Sequence, residues 1–262
     1  MSATILVFDS GVGGLSIFSE LQHTLPNANY YYLFDNARLP YGELDEQDLI
    51  SGCVSLISAA VTELSIDVVV VACNSASTLV LPSLREKLTV PIVGVVPAIK
   101  PAAQLSNSKH IGLLATPGTV NRSYTDDLIR QFASDCKVER FGSSQLVLMA
   151  ESKLAKEHID QAELNRVLAP IKQSGIDTLV LGCTHFPILK GELQNYLGES
   201  VLLLDSAKAI AARVKVIVGE STTSEGDSVC HALFTTKKIG SGLETTLRDW
   251  GFSSVNRFMT AY

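Results

Sequence analysis

Two cysteines, Cys73 and Cys183, stand 110 positions apart at the ends of two closely similar stretches of sequence. Ile66-Asp67-Val68-Val69-Val70-Val71-Ala72-Cys73-Asn74-Ser75 and Ile176-Asp177-Thr178-Leu179-Val180-Leu181-Gly182-Cys183-Thr184-His185 both run Ile-Asp, four largely apolar residues, one tiny residue, then cysteine and polar side chains. A thiol acts as a base only as thiolate, and from a reference pKa of about 8.5 it gains thiolate character near a helix N-terminus or a cation. Two thiols carried by matching halves of one molecule suit a reaction that needs the same acid/base group on opposite faces of a substrate.

The neighbours of these thiols are polar. Asn74, Ser75 and Thr184 offer neutral hydrogen bonds to a small ligand, and His185 is placed to polarise or protonate the thiol beside it. An isolated histidine is more often a satisfied structural residue, and its adjacency to Cys183 is what argues for chemistry. Asp9-Ser10-Gly11-Val12-Gly13-Gly14 opens a predicted helix after the first strand, where free backbone N–H groups suit a carboxylate or phosphate. Pro40-Tyr41-Gly42 follows Asp35-Asn36-Ala37-Arg38-Leu39 in a loop, readable as a cleft wall or as an ordinary turn. Glu151 reads as a solvated glutamate or as an acid serving the second thiol. Cys53, Cys136 and Cys230 read as small hydrophobes.

The elements that must position these groups alternate. Apolar runs at about 4–8, 30–34, 67–72, 92–96, 111–115, 178–182 and 200–204 predict strands, and the patterns near 14–25, 44–64, 76–88, 120–133, 160–174 and 206–219 predict helices. The echo extends upstream: Ile5-Leu6-Val7-Phe8-Asp9-Ser10-Gly11 matches Ile111-Gly112-Leu113-Leu114-Ala115-Thr116-Pro117-Gly118, and the spacings from Asp9 to Cys73 and from Thr116 to Cys183 are 64 and 67. Any buried strand of an α/β protein is rich in Val and Leu, so one such match alone would be coincidence; two in register imply two similar halves. The expected fold is α/β, with two similar doubly wound domains, mostly parallel sheets, and an active site in the cleft between them. Residues 99–205 would form one domain and residues 1–98 with 206–262 the other, with crossings in the Pro/Ala/Ser-rich stretch 97–108 and at Leu204-Asp205-Ser206. Ligands of such sheets sit at the carboxyl ends of the strands, where Asp9, Cys73, Thr116 and Cys183 all fall.

The net charge of −6 and the lack of any Lys/Arg run longer than two argue against nucleic acid as a partner. The first residues carry no basic segment and too short an apolar stretch for a signal peptide, and no run approaches a membrane span. Five cysteines without a C-x-x-C pair argue against a disulfide framework or a zinc knuckle and favour a reducing, cytoplasmic setting.

At these residues the chain resembles the glutamate racemases of the cofactor-independent, two-cysteine aspartate/glutamate racemase family. Phe8-Asp9-Ser10-Gly11-Val12-Gly13-Gly14-Leu15, Pro40-Tyr41-Gly42, Ala72-Cys73-Asn74-Ser75-Ala76, Gly94-Val95-Val96-Pro97-Ala98 and Leu181-Gly182-Cys183-Thr184-His185-Phe186-Pro187 fall in family order across nearly the whole chain. Ser75 departs from the family's usual threonine and keeps the hydroxyl, while the segment before Glu151 fits loosely. The resemblance implies an isomerase interconverting L- and D-glutamate for peptidoglycan synthesis, without cofactor or metal, as a homodimer. It implies Cys73 as the base for D-glutamate and Cys183 as the base for L-glutamate, assisted by Asp9 and His185 respectively, with Glu151 a further helper. Ser10, Pro40, Tyr41, Gly42, Asn74, Ser75 and Thr184 would hold the amino acid.

Three other readings remain. An aspartate racemase would use the same two thiols in a smaller pocket. A non-catalytic module would bind glutamate without exchanging its α-proton. A nucleotide-binding oxidoreductase would use Gly11-x-Gly13-x-x-Ser16 as an incomplete dinucleotide fingerprint, with Asp35 on the ribose.

Overall fold

The computed structural model describes residues 2–219 and 228–259. Ten strands form two sheets: β1 (Thr4–Asp9), β2 (Asn29–Phe34), β3 (Val68–Val71), β4 (Ile92–Gly94), β5 (His110–Ala115), β6 (Lys137–Gly142), β7 (Thr178–Leu181), β8 (Leu202–Leu204), β9 (Cys230–Phe234) and β10 (Ser254–Arg257). Their orders are β10-β9-β2-β1-β3-β4 and β6-β5-β7-β8. All ladders among the described residues are parallel.

The repeated sequence is therefore a repeated topology. The order β2-β1-β3-β4 recurs as β6-β5-β7-β8, so β1 corresponds to β5 and β3 to β7. Both central strands are apolar on each face because helices cover both sides, as parallel sheets require. Val68 to Val71 are all buried, as are Thr178 to Leu181. Each such aliphatic side chain contributes about 1.5–3 kcal/mol relative to exposure. The first sheet lies between one core that includes Phe18, Tyr32 and Val214 and another that includes Leu49, Ile57 and Val80. The second lies between a core around Leu146, Leu168 and Leu193 and one around Ala102, Val120 and Leu128.

Several elements depart from the sequence expectations. The stretch 97–108, read as a linker, contains the helix Ile99–Leu105, and the predicted helix 120–133 is split into Pro117–Asn121 and Ser123–Phe132 at an extended Arg122. Strand β6 reads Lys-Val-Glu-Arg-Phe-Gly, and its charges suit an edge strand more than an apolar pattern. Strands β9 and β10 extend the first sheet beyond β2, again with a polar edge. Helices Gln145–Leu154 and Ser241–Asp249 have no counterpart among the predicted elements.

The chain passes to the second sheet after β4 and comes back through helix Ala207–Val218, which packs on helix Leu15–Thr24. Ser206 Oγ donates to Val96 O at 2.5 Å, tying the outgoing and returning segments together. Among the described residues no helix is long and apolar enough to cross a membrane.

Candidate active site

The carboxyl ends of β1, β3, β5 and β7 meet around one buried pocket. It is lined by Ser10, Pro40, Tyr41, Gly42, Cys73, Asn74, Ser75, Thr116, Val147, Cys183, Thr184 and His185. Its volume is about 10 Å³, room for about one water, so the walls must part to admit an amino acid.

Cys73 is the cap residue of helix Asn74–Lys87, which starts two positions before the helix predicted near 76–88. Cys183 differs. A 3-10 turn, Phe186–Leu189, separates it from the helix Lys190–Leu197, so no helix N-terminus abuts this thiol, and its near neighbour is His185. The two thiols are buried, with 5% and 7% of their surfaces exposed.

On the first side, the Cys73 thiol donates to Ser10 Oγ at 3.7 Å, and Ser10 Oγ donates in turn to Asp9 Oδ1 at 3.1 Å. Asp9 thus reaches Cys73 through Ser10. Its carboxylate also accepts from Ser10 N at 2.5 Å, Gly11 N at 3.3 Å and Thr184 Oγ1 at 2.8 Å. Burial raises the Asp9 pKa, and His185 together with these donors opposes the rise. Burial also pushes the Cys73 thiol well above the ordinary thiol range, and the Asp9 charge adds to that, against the Ala76 backbone N–H.

On the second side, Cys183 Sγ lies 3.7 Å from His185 Nδ1, and His185 Nε2 lies 2.7 Å from Glu151 Oε1. Burial by itself would lower the His185 pKa, but its hydrogen bonds to Cys183 and Glu151 outweigh burial and hold it well above the usual imidazole value. These contacts favour the protonated form of the imidazole beside the second sulfur. Each acid is also held by the opposite half of the molecule: Thr184 donates to Asp9, and Val12 N donates to Glu151 Oε1 at 2.7 Å.

The glycines of the first turn have a role that their spacing did not reveal. A Cβ at Gly13 would lie 2.4 Å from His185 Nδ1 and 2.6 Å from His185 N, and one at Gly11 would lie 2.1 Å from Glu151 Oε1. They admit the second half of the protein, not a pyrophosphate. Asp35, the candidate ribose acid, is occupied by Arg38 and Tyr41. This arrangement removes the basis of the oxidoreductase reading.

Among the candidate ligand-holding residues, Asn74 Nδ2 is buried and has no hydrogen-bond partner, leaving a donor unspent at the pocket. Ser75 Oγ is within 3.0 Å of Thr116 Oγ1 and 3.1 Å of Thr119 Oγ1. Tyr41 turns its hydroxyl to Asp35 Oδ2 at 2.5 Å. Val147 and Thr119 were not singled out from the sequence, because an isolated Val or Thr carries no chemical signal. Arg122, where the helix splits, spans the two halves by donating to Ser75 O and Thr78 Oγ1, both at 2.7 Å.

The family model for Asp/Glu/hydantoin racemases matches residues 14–214. The glutamate racemase of Shewanella loihica is 67% identical over 259 residues, covering 98% of this chain and 97% of that protein. That of Shewanella woodyi is 60% identical over 265 residues, covering 99% and 100%. Among solved structures, Escherichia coli glutamate racemase in complex with L-glutamate and the activator UDP-MurNAc-Ala superposes with a TM-score of 0.92 at 44% identity, covering 98% of both chains. Glutamate racemase RacE1 of Bacillus anthracis gives 0.83 at 28% identity, covering 99% of this chain and 98% of that one.

Proposed function

The chain belongs to the Asp/Glu/hydantoin racemase family, and from that premise we propose that it is a glutamate racemase that interconverts the two enantiomers by two-base proton transfer at Cα. The observation that carries the reading is the pair of buried thiols, each two residues beyond a corresponding central strand, that line one pocket.

Inverting a carbon requires a proton to leave one face and another to arrive on the opposite face. With D-glutamate, Cys73 as thiolate takes the Cα proton and Cys183 as thiol delivers one to the other face; with L-glutamate the roles reverse. Asp9 acts on Cys73 through Ser10. His185, oriented by Glu151, acts as the proton-holding partner of Cys183. The carbanion between the thiols needs fixed dipoles in a water-poor site. Asn74 Nδ2, the N-terminus of helix Asn74–Lys87 and the Ser75 hydroxyl supply them, while Thr184, whose hydroxyl proton goes to Asp9, and Pro40-Tyr41-Gly42 form the wall. We further assign residues 99–205 to one domain and 1–98 with 206–262 to the other, with the product serving peptidoglycan synthesis in the cytoplasm and the enzyme acting as a homodimer.

The direct test is circular dichroism of L-glutamate incubated with the protein and no added cofactor. The ellipticity is expected to decay to zero as the mixture becomes racemic. A constant signal from folded protein that binds glutamate would leave a binding module, and turnover of aspartate in preference to glutamate would reassign the substrate.

The pH dependence follows from the shared proton. Both directions start from states with one thiol and one thiolate, so protonating the pair or deprotonating it fully stops turnover. A bell-shaped kcat/KM is expected, its limbs belonging to the pair. Because the Asp9 charge raises the Cys73 pKa, Asp9→Asn should move the titration of the pair, and with it the profile, to lower pH as well as slow turnover. A flat wild-type profile between about pH 6 and 10 would count against two titrating thiols.

A further inference from the structure

Tyr41 forms part of the pocket wall, yet its hydroxyl is anchored outside the pocket. It donates to Asp35 Oδ2 at 2.5 Å and accepts from Arg38 Nη2 at 3.0 Å. Arg38 closes the triangle through Nε to Asp35 Oδ2 at 2.6 Å, and its Cζ lies 5.3 Å from the centre of the Tyr41 ring. Asp35 is 3% exposed, and its other oxygen accepts from Thr235 Oγ1 at 2.8 Å, at the end of the returning strand β9. Helix Glu46–Leu64 has a glycine where it passes this cluster: a Cβ at Gly52 would lie 1.7 Å from Arg38 Nη1. The cluster therefore joins β2, β9 and a bare helix face to a single phenol.

The loop held by that phenol is also where the halves touch. A Cβ at Gly42 would lie 2.6 Å from Thr116 Cβ, and one at Gly118 would lie 2.9 Å from Gly42 O. A displacement of Tyr41 would be passed directly to this tight contact and to the pocket wall. We propose that Asp35 and Arg38 are positioning residues, which hold Pro40-Tyr41-Gly42 in the place where it receives the substrate. Neither touches the reacting thiols, so their effect falls on substrate affinity more than on proton transfer. The inference rests on the glutamate racemase reading.

Arg38 also gives the means of testing it, because its outer side lines an open groove of about 770 Å³ with Ser51, Ser55, Thr235 and Arg257. A small cation can enter there. Tyr41→Phe and Arg38→Ala are each expected to raise KM for glutamate about tenfold, the loss typical of a hydrogen bond to a charged group, with kcat changed less than about threefold. The double variant should be little worse than either single one, because both remove the same anchor. Guanidinium ion at non-denaturing concentration should restore the KM of Arg38→Ala and leave that of Tyr41→Phe unchanged, with sodium chloride at matched ionic strength as control. The rise in Tm with added glutamate should shrink in both variants and recover with guanidinium only in Arg38→Ala. Wild-type KM in both single variants, additive losses in the double, equal rescue by sodium chloride, or a fall in kcat at unchanged KM would overturn the positioning role. A wild-type protein that neither racemises glutamate nor is stabilised by it would overturn the function reading instead.

Discussion

Cys73→Ser and Cys183→Ser are each expected to abolish racemisation, with kcat/KM falling by at least about 10²–10⁴-fold, the range for a positioned acid/base group. A hydroxyl in place of the thiol is nearly isosteric but too weak an acid to supply the base on its face. The surviving thiol still serves its own enantiomer. In deuterated water Cys73→Ser should exchange the α-proton of L-glutamate faster than that of D-glutamate, and Cys183→Ser should show the reverse preference. Near wild-type racemisation in either variant, or the same preference in both, would defeat the assignment of one thiol to each face. The remaining cysteines serve as controls. Cys230 accepts from Gln22 Nε2 and Cys136 is only partly buried, so their serine variants should keep full activity. Cys53 is fully buried, and burial pushes its pKa up to about 12, so it is no thiolate. Cys53→Ser should retain turnover per folded molecule and lose about 1–3 kcal/mol of stability for the buried hydroxyl.

Gly13→Ala should come close to the cysteine variants in effect. The added methyl would stand 2.4 Å from His185 Nδ1 and 2.6 Å from the His185 backbone nitrogen, and the latter cannot swing aside. Either the halves separate or His185 leaves Cys183 and Glu151. Overpacking of this kind costs about 1–3 kcal/mol, and misplacing an acid/base group by about 1 Å costs about 100-fold in rate. Gly191→Ala is the matched control: its Cβ meets nothing within 4 Å in helix Lys190–Leu197, so it should preserve activity and add up to about 1 kcal/mol of stability. Steady-state kinetics and thermal melts on the same preparations separate the two effects. Wild-type kcat/KM in Gly13→Ala would show that the approach of His185 to the first turn is not needed for turnover.

The repeated architecture is legible in the residue order alone, because its signal is local and strong. A strand buried on both faces must be a continuous apolar run, and Val68–Val71 and Thr178–Leu181 meet that condition with a cysteine two residues beyond each. The polar residues around the thiols were legible for the same reason, being adjacent to them in the chain. Elements whose faces are wet or at an edge left no such mark: β6 carries Lys137, Glu139 and Arg140 and could not be told from a loop. Which distant groups meet depends on the folded arrangement. That Glu151 accepts from Val12, that Thr184 reaches back to Asp9, and that Gly11 and Gly13 are small for the sake of the second half are facts of docking between the halves. Asp35, spaced as a ribose ligand would be, is instead tied to Tyr41 and to Thr235, 200 residues further along. Periodicity and capping report the surroundings within a turn or two of chain, whereas a hydrogen bond between halves depends on how two finished sheets face each other.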